Sequence, residues 1–144
     1  MAHIDLPAHL PGILGPLTQY PNTGRRLSAL AQELLRGESP LTPAEREMIA
    51  ACVSRANECK FCTSSHLAVT RELWAREHRE VPEQVVIGNA TGLLSEKLQA
   101  LIDLALAVQK GGKQVTPEHI RRCRAAGADD KAIHDSVQIG RAHV

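Results

Sequence analysis

The chain has 144 residues, of which 43% are hydrophobic and 23% are charged, and its formal net charge is +1. This length fits one domain with a real hydrophobic core but not two independent domains. The near-neutral charge offers no electrostatic footprint for nucleic acid or an anionic membrane, so we expect neither as a partner. No apolar run approaches the roughly 20 residues that span a bilayer, and the first ten residues lack the pattern of a secretory signal. We therefore expect a cytoplasmic protein.

Aromatic residues are scarce. They make up 2% of the chain, as Tyr20, Phe61 and Trp74. Sheet proteins depend on aromatic and β-branched residues, whereas alanine, leucine, glutamate and arginine, which are abundant here, favour helices. No alternating strand pattern of useful length occurs. The sequence therefore predicts an all-α fold in a single domain.

The amino-terminal segment, residues 1–24, is rich in proline and glycine and predicts an extended lead-in. A helical domain is expected over residues 25–138. Its first helix should cover Arg25–Arg36, where leucines recur at helical spacing, and Gly37 should end it.

Residues 42–77 carry the strongest helix signals, and we expect them to form the core of the functional site. Thr42 is a helix cap, a proline follows it at the first helical position, and Glu45 completes a capping box. This helix should run toward Asn57. We expect Asn57 to cap the next helix, which would place Cys59 in the first helical turn and end near residue 77.

Further helix signals follow in the carboxy-terminal half. We expect a short helix over residues 81–88, an amphipathic helix capped by Ser95, another beginning at Thr116 and a last one beginning at Asp130. Residues 139–144 break the helical pattern and, translated back, fit a sequencing adapter. We therefore expect a non-native tail and a truncated carboxy terminus, with an ordinary polar tail as the alternative.

The chemistry concentrates in a cysteine pair. Cys59 and Cys62 stand three residues apart, His66 follows one helical turn later, and Glu47 precedes Cys59 by twelve residues. On a helix, the two thiols and the imidazole would share a face. A thiol in the first turn of a helix is favoured as thiolate by the helix dipole, and a histidine can move the protons of a redox cycle. If the helices pack as an antiparallel pair, Glu47 could reach His66.

Three interpretations compete for this cluster. A disulfide-cycling redox site needs two close cysteines and proton carriers, and it is the favoured interpretation in a reducing compartment. A zinc site would need further ligands such as His66 and His78, at a spacing that fits no common zinc finger. A purely structural pair is the third. A thioredoxin fold is excluded by the lack of a βαβ pattern. Cys52 is interpreted as a core residue, and Cys123, among three arginines, as a surface or partly buried thiol.

These residues resemble the carboxymuconolactone decarboxylase superfamily, in particular its alkylhydroperoxidase D-like (AhpD-like) branch of peroxidase-related proteins. The diagnostic pattern is a glutamate, eleven residues, Cys-x-x-Cys, three residues and a histidine. It is complete here as Glu47, Cys59, Cys62 and His66. The resemblance is strongest over residues 40–75 and extends loosely over most of the chain.

The resemblance implies a helical bundle that assembles into dimers, trimers or hexamers, and a thiol-dependent peroxidase activity against hydroperoxides. Cys62 would be the peroxidatic thiol, Cys59 the resolving thiol, and His66 with Glu47 the proton relay. A dithiol donor, such as a lipoyl-bearing protein, would reduce the resulting disulfide, and no haem, flavin or metal is implied. The decarboxylase branch lacks this cysteine pair, so the resemblance does not imply decarboxylation.

One position inside the motif departs from the family. The best-characterised peroxidases of this family carry a further histidine between the two cysteines, and this chain has Phe61 there. One proton carrier is therefore missing. The alternative function is a redox-sensing or disulfide-reductase binding protein without efficient peroxidase turnover.

Overall fold

A computed structural model describes residues 3–74, 78, 80–89 and 91–142. The described residues form helices and no strand, which confirms the predicted all-α fold. The helices are α1 (Leu14–Gln19), α2 (Pro21–Arg36), α3 (Pro43–Ala56), α4 (Lys60–Leu73), α5 (Val81–Val86), α6 (Glu96–Gln109), α7 (Pro117–Ala125) and α8 (Asp130–Ala142), with a 3₁₀ turn at Gly112–Gln114.

The chain divides into two compact units, Met1–Gly37 and Glu38–Val144. In the first unit, the predicted extended lead-in was wrong, because α1 and the start of α2 lie within it. Pro16 and Pro21 stand in the first turns of these helices, where the missing N–H group costs no hydrogen bond. Gly24 is buried where α2 crosses the carbonyl of Leu17, a position with no room for a Cβ atom. These residues serve helix starts and close packing rather than an extended chain.

Helix α3 is the centre of the second unit and contacts α4, α5, α6 and α8. All nine residues of its middle, Arg46–Ser54, are buried. The predicted capping box is confirmed: the Glu45 N–H donates to Thr42 Oγ1 at 3.2 Å, and the Thr42 N–H donates to Glu45 Oε2 at 2.8 Å. A buried helix of this kind fixes the positions of the side chains that it presents to its neighbours.

Helix α4 lies against α3 and ends at Leu73. The helix is therefore shorter than predicted, because Trp74 already has an extended backbone. Residues 75–77, the last of the predicted helix, lie outside the described residues. Helices α6 and α8 also contact α3, and α7 packs on α6. Ser39 Oγ donates to the buried carboxylate of Asp135 at 2.7 Å, which ties the chain before α3 to α8. None of the described helices is long and apolar enough to cross a membrane.

The carboxy-terminal helix is longer than the sequence predicts. The predicted break in the helical pattern at Ile139 was wrong, because α8 continues to Ala142. Ile139 is fully buried, and a Cβ atom on Gly140 would lie 2.8 Å from the carbonyl oxygen of Ala105. Ile139 and the small residue after it therefore pack closely on α6. That residues 139–144 form a non-native tail stays a prediction, and the last two lie outside the described residues.

Candidate active site

The connection between α3 and α4 places the cysteine pair. Asn57 ends α3 instead of capping α4 as predicted, and its side-chain oxygen accepts a hydrogen bond from Gln109 of α6 at 2.6 Å. Glu58 then adopts a left-handed backbone with φ 57°. This turn lets the Cys59 N–H donate to the Ser54 carbonyl at 3.1 Å, and α4 begins directly after Cys59. Cys59 is therefore the cap of α4, one position before the predicted first turn.

The sulfur atoms of Cys59 and Cys62 lie within disulfide-bonding distance, and their Cα atoms are 5.4 Å apart. The Cys59 sulfur also accepts a hydrogen bond from the Cys62 N–H at 3.3 Å, so it caps the helix. Both side chains are half-buried. At this end of α4 the unpaired N–H groups and the helix dipole favour negative charge, so the pair sits where a thiolate is stabilised.

A buried carboxylate from α3 holds the histidine of α4. Glu47 Oε2 lies 2.6 Å from His66 Nδ1, and the two side chains are 3% and 17% exposed. The packing that the sequence analysis assumed for Glu47 is thereby confirmed. When Glu47 is ionised it accepts a hydrogen bond from Nδ1–H, which fixes the imidazole ring and stabilises its protonated form. The arrangement therefore contains a proton carrier one helical turn beyond Cys62.

Two threonine hydroxyl groups of α4 are paired with backbone carbonyls at these residues. Thr63 Oγ1 donates to the Cys59 carbonyl at 2.8 Å, and Thr70 Oγ1 donates to the His66 carbonyl at 2.7 Å. Such bonds to the preceding turn are a common use of threonine in helices. Neither threonine is among the site residues predicted from the sequence. Thr63 follows Cys59 by four residues and Thr70 follows His66 by four residues, and this spacing is the sequence signal that identifies them.

The other two cysteines take no part in this site. Cys52 is buried on α3, and burial raises the pKa of its thiol to about 12. Cys123 is also fully buried, contrary to the interpretation as a surface or partly buried thiol, and its Sγ–H donates to the Ala100 carbonyl at 3.4 Å. Burial raises the pKa of Cys123 as well, with Arg122 partly offsetting it. The neighbouring arginines instead pair with acids on the surface.

The part of the chain that the structure describes provides no cluster of ligands for the zinc site considered above. Within the described ranges, no group of three or more His, Cys, Asp or Glu side chains is placed to hold a metal ion. His78, the proposed distant ligand, lies 4.0 Å from Glu80. A groove does border the α3–α4 connection, and its lining includes Arg55, Lys60 and Leu67. These lining residues were not identified from the sequence.

Fold and site together define an all-helical protein with a cysteine pair at a helix start, followed by a histidine that pairs with a buried glutamate. A family model described as the carboxymuconolactone decarboxylase family matches residues 21–87. Residues 21–87 include the cysteine pair and both members of the glutamate–histidine pair. No curated protein matches the sequence.

Two solved structures are similar over most of the chain. One is described as an alkylhydroperoxidase AhpD core, an uncharacterised peroxidase-related protein from Ralstonia eutropha JMP134, with a TM-score of 0.82 and 27% identity over 93% of this chain and 70% of that one. The other is an uncharacterised peroxidase-related protein from Silicibacter sp. TM1040, with a TM-score of 0.77 and 26% identity over 88% of this chain and 66% of that one. These comparisons agree with the resemblance that the sequence predicted: residues 21–87 are similar to the carboxymuconolactone decarboxylase family, and the fold is similar to that of an AhpD core.

Proposed function

We propose that the protein is a thiol-dependent peroxidase that reduces hydrogen peroxide or organic hydroperoxides through a Cys59–Cys62 disulfide cycle. The observation that carries the proposal is the contact of 2.6 Å between Glu47 of α3 and His66 of α4. The two cysteines lie at the start of α4, the helix that carries His66. A purely structural cysteine pair would need no histidine held by a buried carboxylate beside it. The peroxidase-related descriptions of the two similar structures point in the same direction.

The cycle begins with the Cys62 thiolate. It attacks one peroxide oxygen, the O–O bond breaks, and Cys62 becomes a sulfenic acid while the alcohol or water leaves with a proton supplied by His66. The Cys59 thiolate then attacks the Cys62 sulfur. The sulfenic oxygen takes the proton that His66 received from the Cys59 thiol and leaves as water, and the disulfide forms. Glu47 stabilises the protonated imidazole between these proton transfers.

An external dithiol completes the cycle. A dithiol or lipoyl-type donor, carried by a partner protein, exchanges with the Cys59–Cys62 disulfide and leaves as its own disulfide, so two thiols return to the site. The position of the pair at a helix end, with both side chains only half-buried, leaves the sulfurs open to such a donor. Protein side chains and this external reductant supply every step of the cycle.

Steady-state turnover tests the proposal. Purified protein is mixed with cumene hydroperoxide and dihydrolipoamide, and peroxide consumption is followed over many equivalents. We expect turnover in the wild type and in Cys52→Ala, a matched control that removes a buried thiol outside the site. Cys62→Ser and Cys59→Ser should each lose it.

The alternative function has its own outcome in this assay. Phe61 occupies the position of a proton-carrying histidine in the family, and this favours a redox sensor over a fast enzyme. A sensor would consume one equivalent of hydroperoxide, form the disulfide and then stop, with dihydrolipoamide unable to restart it. That result would refute the peroxidase proposal.

A homo-oligomer is part of the same proposal. Leu27 and Leu30 are 53% and 43% exposed on α2, and Ile13 and Leu14 are also exposed. Exposed apolar side chains in such number favour contact with another chain. Light scattering on the purified protein should give the mass of a dimer, trimer or hexamer; a monomer at micromolar concentration would contradict this part.

A further inference from the structure

Ser54 on α3 carries a buried hydroxyl group for which the described residues provide no hydrogen-bond partner. Ser54 is only 1% exposed, so bulk water does not solvate this hydroxyl group. Leaving a buried hydroxyl unpaired is costly, and proteins normally avoid it. A group of this kind therefore needs an explanation.

Two other buried hydroxyl groups of this chain do have hydrogen-bond partners. Ser136 of α8 donates to the Ala132 carbonyl four residues earlier, at 2.9 Å, and Thr70 of α4 donates to the His66 carbonyl in the same way. A helical serine has this bond to the preceding turn available to it. Ser54 does not form this hydrogen bond to the preceding turn, so its hydroxyl is available to a different partner.

Helix geometry indicates which partner. Ser54 follows Glu47 by seven residues, which is close to two helical turns, so both project from the same face of α3. Cys59 precedes His66 by seven residues on the neighbouring segment. Glu47 on α3 meets His66 on α4, and across the turn between the two helices the Cys59 N–H donates to the Ser54 carbonyl at 3.1 Å. The backbone of Ser54 therefore lies next to that of Cys59.

The redox state of Cys59 decides whether this hydroxyl has a strong acceptor. In a disulfide, the sulfur is a weak acceptor. When the disulfide is reduced, the Cys59 sulfur separates from Cys62 and can carry a full negative charge, and hydrogen bonds to charged acceptors are about twice as strong as neutral ones. Reduction therefore turns the Cys59 sulfur into a strong acceptor for a neighbouring hydroxyl group.

We propose that Ser54 is a positioning residue that donates a hydrogen bond to the Cys59 thiolate and favours the reduced form of the pair. In the step concerned, a thiolate of the external dithiol attacks the Cys62 sulfur, the S–S bond breaks, and its electron pair moves to the Cys59 sulfur. The second donor thiol then displaces Cys62 and leaves the donor as a cyclic disulfide. Ser54 stabilises the Cys59 leaving group. The inference rests on the redox activity of the pair in the proposed function, and not on peroxidase turnover.

The thiol–disulfide equilibrium with a glutathione buffer tests the inference. In Ser54→Ala, we expect the equilibrium to move about tenfold toward the Cys59–Cys62 disulfide, which corresponds to about 30 mV in reduction potential. Thiolate absorbance near 240 nm should show a raised pKa of Cys59 in the same variant. Ser54→Thr, which keeps the hydroxyl, should restore both quantities toward wild type. Ser136→Ala is the matched control, since it removes a buried helical hydroxyl far from the pair, and it should change neither.

Thermal unfolding supplies a second, independent readout. Removing an unpaired hydroxyl should leave the oxidised protein at least as stable as wild type, whereas the reduced protein should lose stability. An unchanged equilibrium in Ser54→Ala, or a loss of stability in its oxidised form, would overturn the inference. Either result is separable from failure of the proposed function, because neither measurement uses a hydroperoxide.

Discussion

The pairing of Glu47 with His66 makes a quantitative prediction. Glu47→Gln keeps the shape of the side chain and an oxygen that can accept from Nδ1–H, but it removes the negative charge. The contact is 2.6 Å long, and the Glu47 side chain is 3% exposed, so little solvent screens that charge. The substitution therefore isolates the electrostatic part of the interaction and leaves the packing of α3 nearly unchanged.

The size of the effect follows from hydrogen-bond strengths. A hydrogen bond to a charged group contributes about 1.5–3 kcal/mol, and a neutral one about 0.5–1.5 kcal/mol. The protonated imidazole should therefore lose about 1–1.5 kcal/mol of stabilisation, which is about tenfold in rate if that form carries the proton. Glu47→Ala should lose more, because it leaves a cavity and removes the acceptor.

The assay is kcat/KM for cumene hydroperoxide with dihydrolipoamide in excess. Glu72→Gln serves as control, since it removes an exposed carboxylate from α4 outside the site. Circular dichroism and thermal unfolding would show that Glu47→Gln remains folded. If Glu47→Gln were as active as wild type, while the cysteine variants were inactive, the proton relay would be refuted and His66 would act without Glu47.

Three further predictions concern other parts of the chain. Phe61→His adds a second proton carrier between the cysteines, so it should raise the peroxidase rate about tenfold or more; an unchanged or slower rate would show that Phe61 does not limit turnover. Burial raises the pKa of Cys52 from 9.0 to about 12, which lowers its thiolate fraction about a thousandfold, so iodoacetamide should spare it in the native, reduced protein and label it after unfolding. Early labelling, read by mass spectrometry, would contradict this. Thr42→Ala removes the cap of α3 and should lower the free energy of unfolding by about 1 kcal/mol in urea denaturation; a loss below a few tenths would mean that packing alone fixes this helix end.

Local patterns in the sequence were sufficient for the features that depend on neighbouring residues. The capping box at Thr42 and Glu45 and the start of α6 at Ser95 both lie where the sequence indicated. These signals involve side chains within one helical turn, so no tertiary information is needed to interpret them. The same holds for the common face of Cys62 and His66 on α4.

Tertiary packing decided the features that the sequence left open or misplaced. Glu47 and His66 are nineteen residues apart, and only the antiparallel packing of α3 and α4 brings them together. Cys59 became the cap because Glu58 adopts a left-handed backbone, a conformation that its side chain does not signal. Cys123 is buried where α7 packs on α6, while the neighbouring arginines pair with acids at the surface. Proline and glycine between residues 14 and 24 indicated an extended chain, but they serve helix starts and close contacts.

The most direct test of the proposed activity is a single turnover of the reduced protein. One equivalent of cumene hydroperoxide is added without a donor, the reaction is quenched, and the alcohol product and the intact protein mass are measured together. The disulfide cycle predicts one equivalent of alcohol and the loss of the two thiol hydrogens, located by peptide mapping to Cys59–Cys62. Disulfide formation without alcohol, or unchanged thiols beside intact hydroperoxide, would contradict it.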